Sequence, residues 1–211
     1  HSTIEIISRI RANRKQLNNY YPEISQGLIA YDKYRGQSQD IIENRAYHYS
    51  SFEKNSLKKW LWGADVTKFN VKWNEKEYID YCDGIANPRN PVFVKGERLL
   101  VREITNPSIF AGVTDEELYN DPSIIIVKSN TKYSVKFLAS VLNSKLATFY
   151  HFNFSPKATK GDFPKILVKD IKEFPLTMPN NTILFETVVE YLIFLKTLDK
   201  ESLDILIYNR L

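Results

Sequence analysis

Asp162, Asp170 and Lys172 form a D…D-x-K pattern, in which two carboxylates would bind Mg²⁺ and the lysine would orient water for hydrolysis. Patterns this short arise readily by chance, and this one falls in a stretch that reads as the close of a domain. His48 and His151 lie far apart, with no G-x-S-x-G or comparable nucleophile motif, so nucleophilic catalysis has no support. There is no Walker-type glycine loop and no glycine-rich strand-turn-helix. The single cysteine, Cys82, can make neither an intrachain disulfide nor a thiolate zinc site, which suits a reducing cytoplasm. The chemistry that the residue types favour is that of cations set among rings. Lys54, Lys58, Lys59, Lys68 and Lys72 interleave with Phe52, Trp60, Trp62 and Phe69. Lysines neutralise phosphates and release counterions, while the rings pack inward as core or outward on sugars and bases. For most of these rings the inward direction is expected.

The elements that must hold these groups belong to a folded chain. Hydrophobic residues make up 43% and aromatics 13% of its 211 residues, with only 7 glycines, which excludes a low-complexity chain and favours one packed α+β domain with appended helices. The net charge of +4 and pI near 8.9 permit a polyanionic partner without demanding one. No apolar run approaches the roughly 18 residues of a membrane span, and no signal peptide is visible. A chain that opens on His1-Ser2 without a methionine reads as a piece of a longer parent.

The organising stretch is Tyr78 to Thr105. Pro88 and Pro91 fix their own φ angles and push Asn87 and Asn90 out of the α region, so no helix can cross the Asn-Pro-Arg-Asn-Pro turn. Beyond it, Phe93, Leu99, Leu100, Val101 and Ile104 predict a strand, and the spacing of Arg98 and Arg102 permits one shared, positive face. Upstream, Ile4, Ile7, Ile10 and Leu17 predict an amphipathic helix from Thr3 to about Tyr20, ended by Pro22. Glu23 to Tyr31 reads as a strand that enters the polar loop DKYRGQSQD. Thr105 to Pro122 is acidic and turn-prone, which predicts a connection with at most a short helix, turned away from the basic surface. Ser123 to Lys128 predicts a buried strand, and Val135, Leu138, Leu142, Leu146 and Phe149 predict one helix packed on the sheet. That helix must carry the chain back across the sheet and set the loop His151 to Lys165, with its lysines and phenylalanines, beside the Arg102 strand. Val188, Tyr191, Leu192, Leu195 and Leu198 give a helix from Thr182 to Leu198 an apolar stripe for docking a neighbour, and a short helix from Ser202 to Tyr208 follows.

The aromatic lead-in with N-P-R-N-P-x-x-F and the R-L-L-V-R-E-I-T strand resemble the TaqI-like C-terminal specificity domain, which in that family follows an adenine-N6 DNA methyltransferase domain. G-L-I-A-Y-D-K-Y-R-G-Q with E-N-R-A-Y-H, W-L-W-G-A-D-V-T-K-F, L-N-S-K-L and V-K-D-I-K-E-F-P-L-T-M-P are similar to further segments of the family. The last is also similar to the segment that closes each target recognition domain in type I specificity subunits. The resemblance implies an α+β fold of small twisted sheets with flanking helices, forming one DNA target recognition domain over residues 23–176. A linking helix over 1–22 and a helical segment over 177–211 would lie outside it.

The same resemblance implies a module that selects a DNA sequence for a restriction-modification enzyme, an adenine-N6 methyltransferase with a fused nuclease. Its implied partners are double-stranded DNA and the catalytic methyltransferase domain of the same polypeptide. No cofactor is expected in this chain, S-adenosylmethionine and the Mg²⁺ of a nuclease belonging to the parent. Candidate DNA contacts are Lys33, Tyr34, Arg35, Gln37, Arg45, His48, Lys59, Lys68, Arg89, Arg102, Lys157, Lys160 and Lys165, with Gly63 and Asp65 as turn and cap residues. Asn90-Pro91-Val92-Phe93 lacks the second proline of the Pro-Pro-aromatic motif that holds a flipped adenine, so methyl transfer is not expected here. Two other readings stay open: a protein-interaction module whose basic residues are merely solvated, and a Mg²⁺-dependent nuclease fragment.

Overall fold

The computed structural model describes residues 2–158 and 163–208. Helix α1 (Thr3–Arg11) starts where the Ser2 hydroxyl accepts from the Glu5 amide, the usual satisfaction of an exposed helix start. It is shorter than the apolar period suggests. Asn13 takes up left-handed backbone at φ 55° and turns the chain into strand β1 (Lys15–Gln16), so that Leu17, which opens a short 3-10 turn, and Tyr21 enter the core from outside the α-helix.

The chain continues through β2 (Ile24–Gln26), α2 (Gln39–Glu43), β3 (His48–Tyr49), β4 (Leu57–Leu61), β5 (Phe69–Asn70) and β6 (Tyr78–Asp80). The proline-rich turn follows as a short 3-10 turn, Pro91–Phe93, capped by the Asn90 side chain. After it come β7 (Arg98–Arg102), β8 (Ala111–Thr114), β9 (Tyr119–Asn120) and β10 (Ile124–Lys128). The last elements are α3 (Val135–Leu142), α4 (Lys145–Phe154), α5 (Val168–Lys172), β11 (Pro175–Leu176), α6 (Ile183–Thr197) and α7 (Lys200–Tyr208).

Two sheets carry the fold. The central one has the order β2-β10-β7-β8-β5, antiparallel except for its parallel β8/β5 edge. The second has the order β3-β6-β4-β9, with β4/β9 parallel. β1 and β11 pair antiparallel as a separate clasp. The apolar runs of β7 and β10 follow from burial on both faces. Leu99, Val101, Ile125 and Val127 pack under the helices with Leu138 and Leu142, while Leu100, Ile124 and Ile126 point the other way onto Leu61, Val66, Val71 and Leu118. Full burial of each such side chain is worth about 1.5–3 kcal/mol. The expected α+β class of small sheets with flanking helices is what forms.

Three further expectations fail on identifiable physics. The single helix over 135–149 is two, because Asn143 ends α3 and the Ser144 hydroxyl caps α4 by accepting from Ala147 N. The acidic stretch 105–122 contains two strands, β8 and β9. Gly112 in β8 has no alternative, since a Cβ there would lie 2.4 Å from the Asn70 carbonyl oxygen of the adjacent strand, so the residue that reads as a turn signal permits close strand approach. Arg98 and Arg102 do not make a positive face. Arg98 is fully buried, donating to the carbonyls of Gly96 and Leu118, and burial pushes its pKa down to about 10.

Candidate nucleic-acid interface

A chain of contacts joins five of the sequence-selected residues into one band. Arg45 follows α2 in left-handed backbone at φ 47°, and its Nη1 lies 2.8 Å from Glu77 Oε1. Glu77 Oε2 accepts from Trp62 Nε1 at 2.8 Å, and the Glu77 carbonyl accepts from Trp60 N and Trp73 Nε1. Arg45, Trp62, Gly63, Glu77, Asp121 and Ser123 line a surface pocket of about 230 Å³. Gly63 faces the Arg102 side chain across that rim, and the Arg102 guanidinium lies 5.3 Å over the Phe110 ring. The Ser123 carbonyl accepts from Glu103 N, and Glu103 pairs with Lys165 at 3.1 Å. Lys165 bridges to Ile104 and donates its amide to the Lys157 carbonyl, so Lys157 and Lys165 lie beside the end of β7.

His48 anchors the other end of the band beneath its surface. The Tyr31 hydroxyl accepts from Tyr47 N at 2.9 Å and sits 2.7 Å from His48 Nδ1. The hydroxyl thus bridges the Tyr47 amide and the His48 ring. The ring stands edge-on to Trp60 with centroids 4.7 Å apart. Burial first, and the nearby Arg45 charge second, hold its pKa down to about 4. Tyr47 stacks on Tyr31, and its hydroxyl crowds Gly84, where a Cβ would come within 2.3 Å.

The DKYRGQ loop is carried by the same cluster. Asp32 caps the 3-10 turn Lys33–Arg35, and Gly36 ends it at φ 81°. The Gln37 side chain accepts from Asp32 N and donates to the carbonyls of Ala30 and Gly84. Gln37 thus positions the loop, while Lys33, Tyr34 and Arg35 project outward, Tyr34 at 83% exposure.

The remaining candidates lie elsewhere or are engaged. Lys59 pairs with Glu116, as Lys58 does with Glu117 and Lys54 with Asp80. Lys68 reaches the Asn143 carbonyl at the α3–α4 corner. Arg89 gives Nε to the Gln26 carbonyl and Nη1 to Asn87 Oδ1. Lys160 lies outside the described residues, as does Asp162. Asp170 is taken up by Leu167 N and the Ser155 hydroxyl, and no group of three or more His, Cys, Asp or Glu side chains among the described residues could hold a metal ion. Asp65 caps Trp62 N and accepts from Asn74, the turn-and-cap role read from sequence. Of the interleaved rings, Trp60 is buried and Phe69 packs on the core, whereas Trp62 and Phe52 are exposed. Sequence reasoning missed Glu77 and Glu103, since an acidic residue on a basic surface carries no signal until its partner is known.

A family model described as the TaqI-like C-terminal specificity domain matches residues 58–176, more than half of the chain. The chain belongs to this family. It is a specificity domain of the restriction-modification kind. A Methanocaldococcus jannaschii protein, assigned by inference in its name as a type II restriction enzyme and methyltransferase, is 23% identical over 185 residues. That alignment takes in 83% of this chain and 14% of the relative's length, so the specificity domain spans a small part of that relative. A chain from a solved structure described as the complex assembly and conformational transition of the type I R-M system aligns with 90% of this chain and 44% of its own. Its identity is 12% and its TM-score 0.49. Among the described residues no helix is long and apolar enough to cross a membrane.

Proposed function

We propose that this specificity domain reads duplex DNA for a restriction-modification enzyme and seats the target for a catalytic domain elsewhere in the parent polypeptide. The observation that carries the reading is the family match over residues 58–176. The band from the Lys33–Arg35 turn through Arg45 and Arg102 to Lys157 supports it, because cations strung along a band can hold register on phosphates. In this reading the parent is an adenine-N6 methyltransferase with a fused nuclease. S-adenosylmethionine and Mg²⁺ act in those parts, and the fragment itself performs no catalysis. His48 works from below, holding the Tyr31–Tyr47 platform, rather than by touching DNA. The test is a titration of a labelled duplex at several salt concentrations. If about four to six phosphates are neutralised, log affinity falls against log salt with a slope of roughly −4 to −5. Binding indifferent to salt, or none at low salt, would sink the reading in favour of a protein-interaction module.

A further inference from the structure

We propose that Arg45 is a base-reading side chain, held by Glu77 and Trp62 so that its outer edge pairs with a guanine in the major groove. This rests on the DNA-recognition reading above and names one determinant of its specificity. Arginine paired in two hydrogen bonds with guanine O6 and N7 is the commonest specific contact to a base edge. Such a contact needs a planar donor edge that is presented to solvent yet fixed in direction.

Among the arginines of the domain body, Arg45 meets both conditions. Its side chain is 53% exposed while that of Glu77 is 10% exposed, so the guanidinium stands on a buried support. Glu77 cannot swing away, because its second oxygen is bound by Trp62 Nε1 and its carbonyl by two further donors. Nη1 is committed to Glu77, and the Nε–Nη2 edge makes no hydrogen bond within the described residues. Arg98 is buried and Arg89 is spent on carbonyl and amide oxygens, whereas Arg102 lies against Phe110 with no fixed acceptor among the described residues. Lys54, Lys58 and Lys59 pair with more loosely held carboxylates and present point charges without a fork. The left-handed backbone at Arg45 is a conformation that a non-glycine residue keeps only where its surroundings enforce it. The exposed Trp62 ring and the Asp121–Ser123 rim complete a concave seat beside the arginine.

The experiment is enrichment of a randomised duplex library by the full parent protein, comparing the parent with Arg45→Lys, Arg45→Ala and Glu77→Gln, each checked by thermal melting. Arg45→Lys keeps a cation on Glu77 and its fold, but one ammonium cannot hold Glu77 and both guanine acceptors together. It should relax a single guanine position by about 5- to 150-fold, with the other positions and the salt slope retained. Arg45→Ala and Glu77→Gln should relax that same position, which a merely structural role for Glu77 would leave untouched. A uniform loss across the library would make Arg45 a phosphate contact and overturn the assignment. So would an Arg45→Lys profile identical to the parent's, while the DNA reading stands. No motif enriched by the parent itself would overturn the DNA reading and this assignment with it.

Discussion

Replacing Asn143 by alanine should destabilise the domain through one side chain at the corner between α3 and α4. The Asn143 amide acts as a short substitute strand beside β8. Its Nδ2 donates to the Ala111 carbonyl at 2.7 Å and to the Ala139 carbonyl at 2.9 Å, and its Oδ1 accepts from Ala111 N at 3.0 Å. The residue is buried, and so is Ala111. In Asn143→Ala the Ala139 carbonyl keeps the Asn143 main-chain amide as a donor and the Ala111 carbonyl keeps the β5 ladder at Phe69↔Gly112, but the buried Ala111 amide loses its acceptor. One orphaned buried amide at about 1–3 kcal/mol, with one further hydrogen bond lost at about 0.5–1.5 kcal/mol, gives roughly 1.5–4.5 kcal/mol, with water entry favouring the lower half. At about 2–4 °C per kcal/mol for a chain of this size, about 2 kcal/mol corresponds to a melting point lower by roughly 4–8 °C. Asn143→Asp sharpens the test, because a carboxylate can accept from Ala111 N but faces two carbonyl oxygens with no donor. It should be at least as unstable near neutral pH and recover part of the loss in acid, where a protonated carboxyl can donate. Circular dichroism melts at two pH values measure both. An Asn143→Ala protein that melts within about a degree of the parent, or an aspartate variant unaffected near pH 7, would refute the strand-substitute account.

Lys157→Ala should leave the melting point almost unchanged, since exposed lysines usually contribute within about 0.5 kcal/mol. It should also flatten the salt slope of DNA binding by about one unit, as a lost phosphate contact does; an early melt or an unchanged slope would show the loop to be structural. His48, held down to about 4 from 6.5, binds fewer protons folded than unfolded, so its contribution to stability is full above pH 6.5 and is lost as pH falls toward 4. Denaturant midpoints of the parent should therefore drop over that window, and His48→Phe should flatten the drop; parallel curves for the two proteins would exclude His48 as the cause. Calorimetry with S-adenosylmethionine and a plasmid-nicking assay with Mg²⁺ should both be blank for this chain, and a signal in either would move catalysis into it.

What sequence reveals of this fold is its apolar framework. β7 and β10 were legible because strands buried on both faces must be continuously apolar, and the proline turn before them because two fixed φ angles forbid a helix. The division of 135–154 into α3 and α4 was hidden, since the apolar period runs through Asn143–Ser144 with little interruption and only the capping chemistry of Ser144 marks the break. β8 and β9 were hidden because Gly112 and the Asp115–Glu117 run carry turn statistics that tertiary pairing overrides. The docking stripe on α6 was visible in part. Val188 and Tyr191 are exposed, whereas Val189 packs into the core and Phe185 meets Phe137 edge-on. Charge was the least legible quantity. Sequence counts Arg98 and Arg45 alike, yet one is a buried brace for two carbonyls and the other stands outward on a buried carboxylate.

The β1–β11 clasp has a consequence for how such a module can be handled. Lys15 and Gln16 pair with Leu176 and Pro175, and Leu17 donates to the Phe174 carbonyl, so the chain enters and leaves the two-sheet body at neighbouring points. A body whose entry and exit adjoin can be excised between those points and set into another host at a single surface site, with little demand on the host's geometry. Exchange of the whole interval from Lys15 to Leu176 between relatives should therefore transfer sequence preference as a cassette, whereas a cut inside it would strand one half of the clasp.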